Sequence, residues 1–128
     1  MLNKVLNKNT QAVVKKACEP INSLNAYVDT MVLKKGDEFF GFQPTESKSK
    51  KADHIKVADV RLKQLYDAFR ETERQLNEAG ITLLICFIGL NEGGAVIYAS
   101  DDAVKMKMDV MQELKNMERK HKKGASNA

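Results

Sequence analysis

Residues 81–90 form an apolar run, ITLLICFIGL, which is followed by the polar loop NEGG and a second apolar segment, AVIYAS. Successive side chains of a strand point to opposite faces of a sheet. Strict alternation therefore predicts two apolar faces, with Leu83, Ile85 and Phe87 on one side and Leu84, Cys86 and Ile88 on the other. Because an isolated hairpin is marginal in water, we expect helices of the same chain, or a second copy of it, to cover both faces.

An N-terminal helix is predicted by apolar residues that recur at steps of three and four. They are Val13, Ala17, Ile21, Leu24 and Val28. Asn9 or Thr10 is the predicted N-cap. Pro20 removes a backbone donor inside this pattern, so we expect a kink there or a division into two shorter helices. The periodicity continues past the proline, which favours the kinked helix.

Two further helices are predicted on either side of the 81–99 hairpin, at 57–79 and 101–121. The first has Asp53 as its predicted cap and ends at Gly80. Its apolar stripe is Ala58, Leu62, Leu65, Tyr66, Phe69 and Leu76, while its other face carries charges of both signs and is expected to be solvated. The second has Ser100 as its cap, acidic residues in its first turn and basic residues in its last, which suits the helix dipole. Its predicted buried stripe is Ala103, Val110, Met111, Leu114 and Met117, widened by Val104, Met106 and Met108.

A second hairpin is predicted within residues 30–42, where KKGD would form the turn and Gly36 would take a positive φ. Residues 44–52 combine Pro, Ser, Thr and Lys and are predicted to be a flexible loop. The pattern as a whole predicts an α+β fold in which a hairpin-based antiparallel sheet packs against two or three helices. The order is roughly α(ββ)αββα, which suggests an αββ unit used twice. We expect a single domain over 1–128, with 1–8 and 124–128 frayed.

Composition and charge narrow the classes of function. The chain has no Trp and only 6% aromatic residues, so a surface that binds bases or sugars by stacking would have few residues to use. The net charge of +4 is uneven, with +4 in residues 1–51, −2 in 52–100 and +2 in 101–128. The sequence shows neither a membrane-spanning run nor a signal-peptide pattern, and we expect a cytoplasmic protein.

Residues of the types that catalyse reactions or bind metals are few and scattered along the sequence. Cys18 lies in the predicted N-terminal helix and Cys86 in the predicted strand. Both are expected to be small core residues rather than to form a disulfide, bind a metal or act as a nucleophile. His54 and His121 have no partner at a spacing that suggests a base or a metal ligand. The glycine-rich NEGG loop joins two strands and is expected to be a turn rather than an anion site. We therefore predict no catalytic residue, no metal and no cofactor.

The function predicted from these features is that of a small noncatalytic binding or regulatory protein that contacts another protein and forms a homodimer. Small basic chains of this kind are typical of bacterial or viral accessory and inhibitor proteins, including those of phages. The predicted partner-binding residues are Phe39, Phe40, Phe42, Met106 and Met108. The alternative is a dimer that binds the phosphates of nucleic acid. Its predicted contacts are Lys48, Lys50, Lys51, Arg119, Lys120, Lys122 and Lys123.

Overall fold

The sheet at the centre of the fold has four antiparallel strands in the order β2-β1-β3-β4. A computed structural model describes residues 5–44, 56–109, 111–113 and 115. Its elements are α1 (Lys8–Ala17), α2 (Glu19–Asn22), β1 (Ala26–Lys35), β2 (Glu38–Phe42), α3 (Asp59–Glu78), β3 (Thr82–Leu90), β4 (Ala95–Ala99) and α4 (Asp101–Lys105). This order confirms the predicted α+β fold with two hairpins. None of the helices in the described ranges is long and apolar enough to span a bilayer.

The two halves of the chain repeat the same arrangement. Each half runs from helix to central strand to edge strand, through α1, α2, β1 and β2 in the first and α3, β3 and β4 in the second. The first strands of the two halves pair antiparallel at the middle of the sheet, and their hairpin partners lie at the two edges. The αββ unit predicted from the element order is therefore present twice. From either edge, the sheet therefore begins with the second strand of one αββ unit and continues with the first strand of the same unit.

The N-terminal helix is divided rather than kinked. α1 ends at Ala17 and α2 begins at Glu19, with Pro20 in the first turn of α2, where a missing N–H costs least. Neither predicted N-cap is used, because the Asn7 side chain accepts the Thr10 amide at 2.8 Å. Of the predicted stripe, Ala17 and Ile21 are buried as predicted, but Val13 is 42% exposed and its neighbour Val14 is fully buried instead. Val28 belongs to β1 rather than to the helix.

Two β-bulges in the central pair determine which side chains share a face. Val32 pairs with Ile85 and Leu33 pairs with Leu83, so Leu84 is an extra residue in β3. A bulge of this kind changes the alternation of the strand that carries it. Asp29 is likewise the extra residue of β1.

The predicted face assignment of β3 is consequently wrong by one position at Leu83 and Leu84. Leu83 shares the helix-covered face with Cys86 and Ile88, whereas Leu84 joins Ile85 on the opposite face. The expectation that both faces are covered is confirmed for most of the strand. All six residues of 83–88 are fully buried except Phe87, which is partly exposed.

Two unequal cores follow from this arrangement. The larger lies between the sheet and α1 to α3, and its largest side chains include Phe69, Ile21, Met31, Leu65 and Leu76. The smaller lies on the other face and consists of Val32, Leu84, Ile85 and Ala103, with Phe39, Phe87 and Met108 packed around them. One chain therefore buries β3 on both sides without needing a second copy to do so.

Helix α3 begins later than predicted and ends as predicted. It starts at Asp59, and Ala58 occupies the N-cap position without a side-chain hydrogen bond, while the predicted cap Asp53 lies outside the described residues. At its end, Gly80 has a φ of +77°. The Ile81 amide bonds to the Leu76 carbonyl at 2.9 Å and the Gly80 amide to the Asn77 carbonyl at 3.0 Å, the pair of bonds that defines a Schellman motif.

The last predicted helix is interrupted. α4 ends after Lys105, although Ser100 caps it as predicted by accepting the Ala103 amide at 3.2 Å. Lys107 takes a φ of +54°, and the Met108 amide bonds to the Ala103 carbonyl at 3.1 Å, so α4 also ends in a Schellman motif. Met108 thereby packs against Ala103 in the smaller core.

A new helical turn begins directly after this break. The Asp109 side chain accepts the Gln112 amide at 3.0 Å, as an N-cap does. Asp109 with Gln112 three residues later is a capping-box pattern that the sequence already contains. Of the predicted stripe beyond the break, Met111 is 57% exposed, and the side chains of Val110, Leu114 and Met117 lie outside the described residues.

The two Schellman motifs predict opposite effects for matched substitutions. Gly80→Ala should lower the free energy of unfolding by about 1 kcal/mol, because a side chain disfavours positive φ and nothing lies within 4 Å of the added Cβ. Lys107→Gly should raise it by roughly 0.5–1 kcal/mol, because glycine takes that conformation freely. Urea unfolding followed by circular dichroism measures both. Destabilisation by Lys107→Gly would contradict the proposed end of α4.

Candidate functional site

The sheet has one face that its helices leave largely uncovered, and we call it the open face. It lies opposite α1, α2 and α3. Cross-strand pairing and the two bulges place on it Tyr27, Val32, Phe39, Ile85, Phe87, Gly89 and Ile97. Among the described residues, α4 and the segment after it cover one end of this face, through Ala103 and Met108.

The exposed part of the open face is apolar. Phe39 and Phe87 are each partly exposed, and Ile97 on the edge strand is 36% exposed. Phe39 and Phe87 pack against Val32, Leu84 and Ile85, whose side chains are fully buried, and Ile97 lies beside Phe87 as its cross-strand partner. A patch with an apolar floor and half-exposed aromatic side chains is typical of a protein-binding surface.

The Tyr27 ring on this face packs directly over Gly89. Tyr27 pairs with Gly89 across the central strands, and its ring lies so close over the glycine that a Cβ at position 89 would collide with it. An aromatic ring over a strand glycine covers backbone that would otherwise be exposed. The position of the Tyr27 ring therefore requires a glycine at position 89.

The structure brings together only some of the predicted partner-binding residues. Phe39 and Met108 both pack in the smaller core on the open face. Phe40 is 6% exposed and Phe42 packs against the larger core, so both belong to the helix-covered side. This follows from strand alternation in β2. Met106 is 42% exposed at the C-cap of α4, outside both cores.

The residues predicted for nucleic-acid binding lie outside the described residues. These are Lys48, Lys50, Lys51, Arg119, Lys120, Lys122 and Lys123. The described part carries 13 basic and 14 acidic residues, a net charge of −1, against +4 for the whole chain. The positive excess thus comes from residues 1–4, 45–55 and 116–128. The open face itself carries few charges.

The outer face of α3 holds a network of ion pairs. Arg74 binds Glu71 at 2.6 Å and also pairs with Glu78. The hydrogen bonds from Arg74, followed by that from Gln75, lower the pKa of Glu71 to about 2. Glu71 and Glu78 thus share one guanidinium on the exposed surface, and Asp67 pairs with Lys63 at 3.5 Å. The described residues contain no group of three His, Cys, Asp or Glu side chains that could hold a metal ion.

Glu73 differs from its neighbours and from the prediction that this whole face is solvated. It is buried, and its carboxylate lies 3.0 Å from Arg70. Burial raises its pKa, and Arg70 opposes this effect. Because Arg70 also approaches Asp101 at 3.8 Å, these side chains connect α3 to the start of α4.

A polar cluster that sequence reasoning missed joins distant segments at the other end of α3. The Arg61 guanidinium binds the Glu92 carboxylate at 2.7 Å and donates to the carbonyls of Leu24 and Asn25 at 3.0 and 3.2 Å. Asn25 and Asn91 are joined by a side-chain bond at 2.7 Å. Bonds between the start of β1 and the β3–β4 turn fix this end of the molecule. No local pattern marks them, because the partners are far apart in sequence.

The helix-covered side of the sheet at β4 carries a second apolar region, which we call the β4 rim and define as Tyr66, Val96 and Tyr98. Tyr98 packs its ring 5.6 Å from Tyr66 and 5.4 Å from Phe69, and its hydroxyl donates to the Leu62 carbonyl at 2.7 Å. Burial raises the pKa of Tyr98. Tyr66 was predicted in the buried stripe but is 44% exposed.

The two cysteines occupy the larger core. Cys18 and Cys86 are both free and buried, and the Cys18 Sγ lies 3.7 Å from the Met31 Sδ. Burial raises the pKa of Cys18 to about 12 and that of Cys86 well above its usual range. Both thiols therefore stay protonated at neutral pH and pack as small apolar groups.

Native cysteines should be inert to a thiol reagent at pH 8, because the thiolate is the reactive species and burial also blocks access. We expect no labelling of the folded chain and two labelled thiols per chain after unfolding in urea. Val13→Cys, on the exposed side of α1, is the control and should label rapidly. Rapid labelling of the unmodified native chain would contradict this arrangement.

Because burial raises the pKa of Cys18 in the folded state, the contribution of the protonated thiol to the free energy of unfolding should be complete below pH ~8.5 and be lost as the pH rises toward about 12.

Comparison with known proteins gives no relative: no family model, no curated protein and no solved structure matches this chain.

Proposed function

We propose that this protein is a noncatalytic binding protein that contacts a protein partner through the open face and acts as a homodimer. The observation that supports this proposal is the half-exposed apolar surface formed by Phe39, Phe87 and Ile97 over an apolar floor. Completing the burial of a phenylalanine side chain can contribute on the order of 1 kcal/mol or more. Aromatic side chains in partly preformed pockets are also the residues that most often dominate binding.

The chemistry of the open face favours a partner that presents uncharged aliphatic side chains. β1 has three charged residues, Asp29, Lys34 and Lys35, and cross-strand pairing with Phe39 places Lys34 on the open face. A single lysine provides little attraction for a polyanion there. Few aromatic rings are available, so stacking of bases is poorly supported. A protein segment with an apolar helix face or strand face fits this surface better.

The predicted regulatory role extends this proposal. A small chain that binds without catalysis can act as an accessory or inhibitor protein by occupying a surface of its partner, in a bacterium or a bacterial virus. The two buried free cysteines support a reducing compartment such as the cytoplasm. Phe40 and Phe42 no longer belong to the proposed surface, because their side chains pack on the helix-covered side.

Phe87→Lys should abolish capture of the partner, because a charge would be buried at the centre of the interface. Capture from the source cells identifies candidate partners, and titration calorimetry with the purified candidate then measures binding. We expect affinity to fall at least about tenfold, which corresponds to about 1.4 kcal/mol. Phe39→Lys, at the other side of the open face, should act in the same direction.

Val13→Lys is the matched control for this experiment, since it places the same charge on an exposed apolar position of α1, away from the open face. It should leave affinity unchanged. Circular dichroism must show that each variant is folded. Equal affinity of the unmodified chain, Phe87→Lys and Phe39→Lys for the purified partner would refute the proposal.

Nucleic-acid binding is the second candidate, and the charge distribution is the observation that favours it. The described part carries −1, and the largest positive excess lies in 116–128, which carries +3, where several lysines are close in sequence; 45–55 carries three lysines and a net charge of +1. Segments of this composition can bind phosphates without a shaped surface.

Lys120→Glu, Lys122→Glu and Lys123→Glu together should eliminate binding to a DNA or RNA fragment if this second function holds. Binding by the unmodified chain should weaken steeply between about 50 and 200 mM salt, because displaced counterions drive the association. A mobility-shift assay at low salt measures both effects. No retention of either nucleic acid by the unmodified chain would eliminate this candidate while leaving the open face untested by that result.

A further inference from the structure

The outer edge of β4 offers unpaired backbone groups in a regular pattern. The Leu90 amide bonds to the Gly94 carbonyl at 3.1 Å, and the Ser100 amide bonds to the Leu84 carbonyl at 2.8 Å. In an antiparallel pair the residues that bond to the neighbouring strand alternate with those that do not. The even-numbered residues of 94–100 therefore bond to β3, and the odd-numbered residues direct their N–H and C=O groups outward.

Those outward groups belong to Ala95, Ile97 and Ala99. No described residue pairs with this edge, because β4 ends the strand order. The strand AVIYA contains no charged residue and no proline, the two devices that usually protect an edge from association. The opposite edge strand, β2, begins with Glu38 and follows Asp37 in its turn.

We propose that the β4 edges of two copies pair antiparallel about a two-fold axis at Ile97 and join the two sheets into one. This inference rests on the homodimer of the proposed function and specifies how it forms. In this register Ile97 faces the partner's Ile97, and Ala95 faces the partner's Ala99. Every outward N–H and C=O of the three residues then has a partner.

The side chains of this edge suit that pairing. The segment is nearly symmetric about Ile97, with an alanine two positions away on each side, so the residues at the axis are flanked by small side chains on the open face. On the other face, Val96 would lie across from the partner's Tyr98, extending the β4 rim. Exposure of 36% at Ile97 and 44% at Tyr66 shows apolar surface on both sides of the edge that pairing would cover.

Pairing also explains the absence of electrostatic protection at this edge. Because β4 is uncharged, no like charges face each other between the paired strands. The Arg61–Glu92 pair lies beyond one end of β4 and the Arg70–Asp101 pair beyond the other. Arg61 therefore balances Glu92 at one end of the strand. At the other end Arg70 lies near both Glu73 and Asp101, and Asp102 is exposed, so some negative charge remains beyond the paired residues.

Ile97→Pro tests the proposal through the backbone. The Ile97 N–H points outward, so proline at this position removes no hydrogen bond from β4 to β3 but blocks pairing with a second copy. Sedimentation equilibrium of the full chain over a range of concentrations should show a dimer for the unmodified protein and a monomer for Ile97→Pro. We expect the dissociation constant to rise at least about tenfold. A monomeric unmodified chain, or a folded Ile97→Pro variant that still forms the same dimer, would overturn the inference.

Cysteine cross-linking tests the register even if the proline variant does not fold. Ile97→Cys should form a covalent dimer on mild oxidation, because facing residues of a bonded pair have Cα atoms about 5.5 Å apart, within disulfide reach. Ala95→Cys should not cross-link to itself, since the two positions would be separated by roughly 14 Å along the strands. A mixture of Ala95→Cys and Ala99→Cys chains should cross-link.

The buried native cysteines do not compete in this reaction, and Val13→Cys on α1 is the control that should remain uncrosslinked. Cross-linking of Ala95→Cys alone, or no cross-linking of Ile97→Cys, would refute the proposed axis. A further check mixes Ile97→Lys and Ile97→Glu chains, each expected to be monomeric alone and dimeric together. Ile97 belongs to both the dimer edge and the open face, but Phe87→Lys and Phe39→Lys leave it unchanged. Failure of the cross-linking tests therefore leaves capture through Phe87 and Phe39 measurable, so the dimer and the partner-binding surface are judged separately.

Discussion

Burial of β3 on both faces is the constraint on which the rest of the structure depends. A strand in this position needs backbone partners on both edges and apolar layers above and below. β1 and β4 supply the edges, α1 to α3 form one layer, and α4 with Phe39 and Met108 forms the other. The second layer is thin because α4 is short, so burial is complete at Leu84 and Ile85 but partial at Phe87. The exposed remainder of this layer is the surface proposed to meet a partner.

Because Leu84 is an extra residue in β3, the apolar run contributes side chains to both the larger and the smaller core. Without the bulge, strict alternation would place Leu84 with Cys86 and Ile88, and the smaller core would lose one of its fully buried side chains. With it, the adjacent residues Leu84 and Ile85 both face the smaller core. Met108 can then pack over them only because the chain turns sharply at Lys107. The bulge, the turn and the open face are therefore linked by packing.

The sequence pattern predicted the order of elements and the double burial of β3 because both depend on local periodicity. Gly36 and Gly80 likewise marked ends of elements through their backbone freedom. What could not be predicted depends on tertiary contacts. The bulges arise from the pairing of β1 with β3, which are distant in sequence, and the assignment of Phe40 to the covered side follows from the position of β2 at the edge. The break after α4 was readable in part, since Asp109 and Gln112 form a capping pattern that competes with one continuous helix.

The candidate surface was predicted in part for the same reasons. Phe39 and Met108 were among the predicted partner-binding residues, whereas Tyr27, Phe87 and Ile97 are placed on this surface only once the faces of the sheet are known. The polar cluster around Arg61 shows the limit most clearly. Its partners include main-chain carbonyls, which carry no signal in the sequence.

The repeated helix and hairpin arrangement gives the sheet two edges in equivalent positions, and this has a consequence for assembly. If both edges were equally receptive, β4 of one molecule could add to β2 of the next, and head-to-tail addition would extend into a filament without limit. Charge at the start of β2 makes the two edges unequal, so growth by that route is disfavoured. An assembly built through β4 alone is complete once two molecules have met.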